Sequence, residues 1–226
     1  MEENTKSILN LLLTKSALKQ DISEDTQRTF REFKEQVRIE LKELKRDVED
    51  DRIRLNLVEK GDNEFHVFIG SDVLVFQMHT NVFKLPDDNP LWKTPYLKAN
   101  EGNGYFGLIH IYNFLAESFI QGRINDTGYL IGRMFVNHDG HFIVEGKGQL
   151  GFLFRDLEKG ELTNEVIRHI IQVSFAYALD FDLLTPPYEL VHELSVGQVQ
   201  ALGNMLQVST GKRLGFKYKA EDGEFF

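Results

Sequence analysis

Glu145-Gly146-Lys147 is the set of residues that comes closest to a catalytic motif. It follows the apolar run Phe142-Ile143-Val144 and has the E-x-K form of metal-dependent nucleases of the PD-(D/E)xK type, in which carboxylates hold Mg²⁺ and the lysine positions the attacking water. Asp126 or Glu117 is the upstream acid such a site needs. The tripeptide recurs by chance in acidic chains, and the net charge opposes a polyanionic substrate, so a nuclease is the lesser reading.

The other candidates have simpler explanations. His138 and His141 flank Asp139-Gly140 and, with Asp139, offer nitrogen and oxygen ligands to a metal, but a solvated turn has the same composition. Glu189 and His192 form a single E-x-x-H, whereas a di-iron bundle needs two on paired helices. Glu165 and His169 lie one helical turn apart, where a surface pair is the ordinary outcome. Ser118, Ser174 and Ser195 lack the G-x-S-x-G elbow, and Ser195 reads as a helix cap. The glycine run at 146–151 has neither P-loop spacing nor a helix after it. With no cysteine, the chain has no disulfide, no thiol nucleophile and no Cys-ligated metal. No catalytic residue set and no cofactor is expected, and the only metal alternative is Glu145, Lys147 and Asp126.

The elements that must position these residues are legible in the periodicity. Thr127 to Phe154 reads as two β-type arms around Asp139-Gly140, a residue pair suited to a tight hairpin. On its first arm Leu130, Gly132, Met134 and Val136 share one face, and Tyr129, Ile131, Arg133 and Phe135 the other, so both sides are covered. Gly146, Gly148 and Gly151 suggest a bend in the second arm. Upstream, Thr5 to Lys19 predicts a short amphipathic helix, broken at Gln20 to Glu24 and followed by a longer one from Glu24 to Asp51. The stripe Phe30, Phe33, Val37, Leu41, Leu44 and Val48 on the longer helix packs on a sheet of its own chain or, less simply, forms a coiled-coil seam.

From Arg52 the period changes to two, and three antiparallel strands form a meander that runs on toward Phe83. Leu85 to Gly104 is a long loop with three of the five prolines, pinned by Trp92 and Tyr96 or covering a ligand. Tyr105 to Gln121 is read as a helix from Leu108, Ile111, Tyr112, Leu115 and Phe119, and another follows from Thr163 to Leu179. Pro186-Pro187 stops any continuation. Ser195 and Gln198 form a capping box for a helix to about Gln207, Arg213 to Lys219 predicts a last strand, and a polar tail ends the chain. The expected fold class is α+β, with an antiparallel sheet of about five strands in the order helix, three strands, helix, two strands, helix. Residues 1–50 form N-terminal helices, 51–182 the central domain and 183–226 a helix-strand extension.

Composition limits the partners. Asp and Glu number 35 against 26 Lys and Arg, a net charge of −9 that disfavours nucleic acid and anionic membrane as ligands. The cluster Ile8, Leu9, Leu11, Leu12 and Leu13 follows acidic residues and precedes Lys15, which does not fit a signal peptide, and no run is long enough to span a bilayer. A cytoplasmic location is expected. The 18 phenylalanines fit an aromatic core or an apolar groove.

The element order is similar to the type III secretion chaperone-like fold. The hairpin region resembles the YbjN family in Gly132-Arg133, Asn137, Asp139-Gly140, Phe142-Ile143-Val144-Glu145, Gly160, Thr163 and Glu165. The resemblance covers roughly Arg52 to Leu179; the helices before Asp51 and the tail beyond Pro186 depart from it. It implies an acidic cytosolic protein that dimerises and binds polypeptide or regulatory partners without catalysis, metal or cofactor. The leading expectation is therefore a non-catalytic protein-binding module acting as a homodimer, with Tyr129, Ile131, Met134 and Phe135 as the candidate interface and core packing as its alternative. Two further expectations are the metal-dependent nuclease and a small-ligand sensor with an apolar pocket under the Leu85 to Gly104 loop, where Trp92 and Tyr96 would line the site.

Overall fold

The computed structural model describes residues 2–197 apart from 184, 186 and 194. Its first element is one long helix: α1, Glu2–Leu11, passes through a π-helical turn at Leu12–Ser16 into α2, Ala17–Asp47. The expected break at Gln20 to Glu24 does not occur. Asp21 and Ser23 are good capping types, but Ile22 between them is fully buried, and its packing holds the turn helical.

The sheet follows. Strands β1 (Leu55–Glu59), β2 (Glu64–Ile69) and β3 (Asp72–Met78) form the antiparallel meander. The third strand stops at Met78, and the chain rejoins the sheet as β4, Phe83–Lys84, against Tyr105 and Phe106. Between 85 and 104 come short helical turns, among them α3, Pro95–Ala99, whose first turn is capped by Thr94.

Tyr105 to Leu115 is not a helix. It is the eleven-residue strand β5, paired with β3 on one side and with β6 (Tyr129–Val136) on the other. Only Ala116–Ile120 is helical, as α4. The helical spacing misleads because this strand is covered on both faces: Ile109 and Ile111 enter the main core, while Phe106 and Leu108 enter a second cluster on the opposite side. Apolar residues in both phases satisfy a helical template as readily as a strand.

β6 turns at Asp139-Gly140, with Gly140 at φ 75°, into β7, Phe142–Gly146. The second arm is shorter than expected. It leaves the sheet at Gly146, and Gln149–Leu153 forms the short helix α5, so a helix begins inside the glycine run, with Gly151 within it. Helix α6, Asn164–Leu179, begins at the Thr163 cap, whose hydroxyl accepts the Val166 N–H at 3.3 Å. The last described helix is α7, Tyr188–Val191. Of the expected C-terminal features, the stop at Pro186-Pro187, the capping box with its helix to Gln207, the strand at Arg213 to Lys219 and the tail lie wholly or partly outside the described residues.

The fold is α+β, with strand order β1-β2-β3-β5-β6-β7 and all pairs antiparallel. The core lies between the inner sheet face and the pair α2 and α6. Phe30, Phe33, Val37 and Leu41 of α2 and Ile167, Ile170 and Ile171 of α6 are buried there against Phe65, Phe76, Ile109 and Val144. The stripe on the long helix therefore packs on its own sheet, and the coiled-coil seam is excluded for it. Phe65 and Phe76 stack at 4.7 Å, and Phe30 lies 5.1 Å from Phe65. Arg168 and Gln172 of α6 donate to the buried Glu40 carboxylate of α2, Arg168 Nε at 2.8 Å.

The helix crosses β5 where Gly107 stands: a Cβ there would overlap the Thr26 side chain. Gly107→Ala should therefore force α2 off the sheet at that point and cost about 1–3 kcal/mol. Urea unfolding checks this, and an unchanged midpoint would show that the crossing is not tight.

Candidate functional site

The loop at 85–104 is closed by its own aromatics. Trp92 Nε1 donates to Pro86 O at 2.9 Å, its ring lies over Gly104, and Lys84 Nζ stands 5.3 Å from the ring centroid. Tyr96 ties the loop to the hairpin turn: its ring stacks on His141 at 4.8 Å, and its hydroxyl donates to Asp139 Oδ2 at 2.9 Å and accepts from Asn137 Nδ2 at 2.8 Å. Asn137 is fully buried, and its Oδ1 accepts the N–H groups of Asp139 and His141, so one side chain organises turn and loop together. Burial and the Asp139 carboxylate push the Tyr96 phenol up to about 12, against the Asn137 hydrogen bond.

Beneath this loop the space is packed. Leu85, Leu97, Phe106, Leu108, Phe135, Ile143 and Leu157 form a buried cluster with Trp92 and Tyr96 at its margin. The apolar pocket expected there is filled by the protein's own side chains. Beside this cluster is a cleft of 360 Å³ lined by Lys84, Asp87, Trp92, Leu97, Lys98 and Glu101.

The hairpin residues expected to form an interface are interior. Ile131 and Met134 are each 1 % exposed in the main core, Phe135 lies in the cluster under the loop, and Tyr129 is half-buried near Phe181. A bulge explains the departure from simple alternation: Ile111 pairs with Gly132 but Tyr112 with Leu130, so Ile131 is the extra residue and turns into the core beside Met134. Core packing, the alternative to an interface, is what these residues do.

The nuclease set is not brought together as a metal site. Glu145 ends a polar row across five strands, formed by the register partners Glu64, Gln77, His110, Arg133 and Glu145 on the open face of the sheet. Arg133 holds Glu145 through Nε at 3.1 Å and through a second nitrogen. Asp126 is held by Arg123 at 2.9 Å and accepts the Ser118 hydroxyl at 2.6 Å, which also accounts for Ser118. Lys147 follows the end of β7 and donates its backbone N–H to Ile131 O. Glu117 pairs with Arg54 at 3.2 Å. Each carboxylate thus has a cation of its own, and among the described residues no three His, Asp or Glu side chains converge on one point.

The remaining candidates are structural in the same way. His141 Nδ1 meets Leu157 O at 2.8 Å, while His138 Nε2 lies 3.1 Å from Asp139. Ser174 Oγ donates to Ile170 O inside α6. Glu165 sits beside the Thr163 cap, whereas His169 meets the Phe154 ring. His192 Nδ1 lies 2.8 Å from the Glu189 backbone carbonyl.

What sequence reasoning passed over is at the N-terminus. Residues 3–17 are all exposed, and Ile8, Leu9, Leu11, Leu12 and Leu13 are between 53 % and 69 % accessible on one continuous helix. Five aliphatic side chains within six positions are the available signal; the sequence reads them as a short amphipathic helix that does not fit a signal peptide, and gives their apolar face no partner. Among the described residues no helix is long and apolar enough to cross a membrane. No family model, curated protein or solved structure matches the chain.

The tyrosine network gives a stability signature. An unfolded phenol ionises near 10.0 and the Tyr96 phenol near 12, so the Tyr96 contribution to folding stability should be constant below about pH 10 and be lost as pH rises between those values. Tyr96→Phe should reduce that alkaline slope in denaturant melts at stepped pH, while Tyr177, raised by burial, and Lys84, raised by its bond to Asp87, contribute to what is left.

Proposed function

We propose that this protein is a non-catalytic protein-binding module that works as a homodimer. One observation carries the reading: the exposed aliphatic cluster of Ile8, Leu9, Leu11, Leu12 and Leu13 on α1 and the π turn. Five exposed aliphatic side chains within six positions of one helix leave apolar surface in water that a partner helix would cover, so the cluster calls for a partner helix. A second copy suits it. The first turns carry Glu2, Glu3 and Lys6 and the far end Lys15 and Lys19, so antiparallel pairing sets a net acidic end against a basic one.

A relationship to the YbjN family and the type III secretion chaperone-like fold is part of the same proposal. It is supported by the hairpin residues Gly132-Arg133 to Glu145 and by an antiparallel sheet with helices on one face. A cytoplasmic location and a protein rather than a nucleic-acid partner agree with the net charge of −9 and the absence of cysteine.

Light scattering tests the dimer. The protein should have twice the chain mass at micromolar concentration, and Leu9→Glu with Leu12→Glu should weaken association by at least about 100-fold. The dissociated variant should still unfold in one cooperative transition, because both side chains are exposed within the single chain and leave its core intact. A wild-type chain that stays monomeric overturns the reading.

A further inference from the structure

The two edges of the sheet are treated differently. At β7 the outward backbone is occupied by the chain itself: Phe142 N–H donates to Gly160 O at 2.9 Å and Val144 N–H to Phe154 O at 2.6 Å. At β1 the register gives the opposite result. Gly70 N–H donates to Arg54 O and Lys60 N–H to Glu64 O, so the pairs flanking β1 are the hydrogen-bonded kind, and by alternation Asn56 and Val58 also face β2. The backbone N–H and C=O groups of Leu55, Leu57 and Glu59 then point away from the sheet, and no backbone group among the described residues meets them. The strand reads Leu-Asn-Leu-Val-Glu and has no proline, lysine or bulge to protect its edge.

Beside this edge runs a cationic stripe. Arg38, Lys42 and Lys45 fall at i, i+4 and i+7 on α2 and, with Leu41 and Leu57, line a groove of 460 Å³ between the helix and β1. Arg38 is shared by Glu35 and Glu59, and Lys34 also meets Glu59 at 3.0 Å. Lys42 and Lys45 are exposed and have no ion pair among the described residues. In a chain of net charge −9 this is a local reversal of sign next to an open strand edge.

We propose that the groove between α2 and β1 takes an extended acidic peptide from a partner protein, added to the sheet as a further strand. The backbone of Leu55, Leu57 and Glu59 supplies the pairing, Lys42 and Lys45 receive carboxylates from alternate residues, and Leu41 and Leu57 form the groove floor. Lys42 and Lys45, three apart, rise about 4.5 Å along the helix against about 7 Å between alternate side chains of a strand, a difference that two flexible four-carbon lysine stems span. A second copy is a poor occupant. Edge-to-edge pairing about a two-fold axis sets each copy's Arg38, Lys42 and Lys45 stripe against its own image. The inference rests on the protein-binding reading and gives it a partner chemistry, but it uses none of the residues assigned to the dimer.

Fluorescence anisotropy of the full chain with a labelled, end-blocked peptide of alternating glutamate and valine tests this. The peptide should bind with an affinity that falls with salt, and Lys42→Glu with Lys45→Glu should weaken it at least about tenfold. The same peptide N-methylated at alternate residues keeps its charge but loses the donors on one edge, and should also bind at least about tenfold more weakly. No binding of the unmodified peptide overturns the proposal, as does equal binding of the N-methylated one, which would mean charge attraction without strand pairing. Light scattering on the same samples separates the two readings. A dimer that ignores the peptide overturns this inference alone, a monomer that binds it overturns the dimer alone, and a mass change caused by the lysine variants would assign the edge to a second copy.

Discussion

The contact on which the rest of this structure depends is the seating of one long helix on the inner face of the sheet. Phe30 and Phe33 descend onto Phe65 and Phe76, which are themselves register partners on β2 and β3 and stack face to face. Close approach is possible because β5 offers Gly107 beneath Thr26. Once α2 is in place, α6 has a wall to pack against, and the buried Glu40 is matched by Arg168 and Gln172. A carboxylate in such a position is tolerated only with donors on it, so the ion pair fixes how the two helices sit relative to each other more than it adds net stability.

With both long helices on one side, the opposite face must be completed by smaller means. The loop at 85–104 covers the part of the sheet nearest the hairpin, held there by Trp92 and the Tyr96 network, and α4 lays Phe119 against His66 and Phe114 farther along. Between these covers runs the row Glu64, Gln77, His110, Arg133 and Glu145. Gln77 bonds Glu64 at one end and Arg133 bonds Glu145 at the other, and this is why Glu145, which looked like a metal ligand beside Lys147, belongs to the surface of the sheet.

The sequence was most legible where one face of an element is dry and the other wet. The α2 stripe and strand β1 are of this kind, while β2 and β3, largely buried, were marked by the turns that bound them, as the hairpin was by Asp139-Gly140 and α6 by its Thr163 cap. Reading failed at β5, because a central strand covered on both faces has no amphipathic phase. It failed again at the hairpin interface, because the Ile131 bulge shifts the phase halfway along β6 and nothing in the local residues announces it. The N-terminal cluster was visible as composition, but only burial distinguishes an apolar segment used by the core from one left outside it. The β1 edge was not legible, since strand order is a property of the whole sheet.

The partnership of α2 with α6 joins residues separated by 128 positions. A ribosome adding about 5–20 residues per second therefore exposes Phe30, Phe33, Val37 and Leu41 for several seconds before the strands and the second helix exist to cover them. Through that interval the aromatic stripe has nothing of its own chain to pack against. The same stripe that later anchors the domain is, during synthesis, the surface most exposed to aggregation and to capture by holding factors.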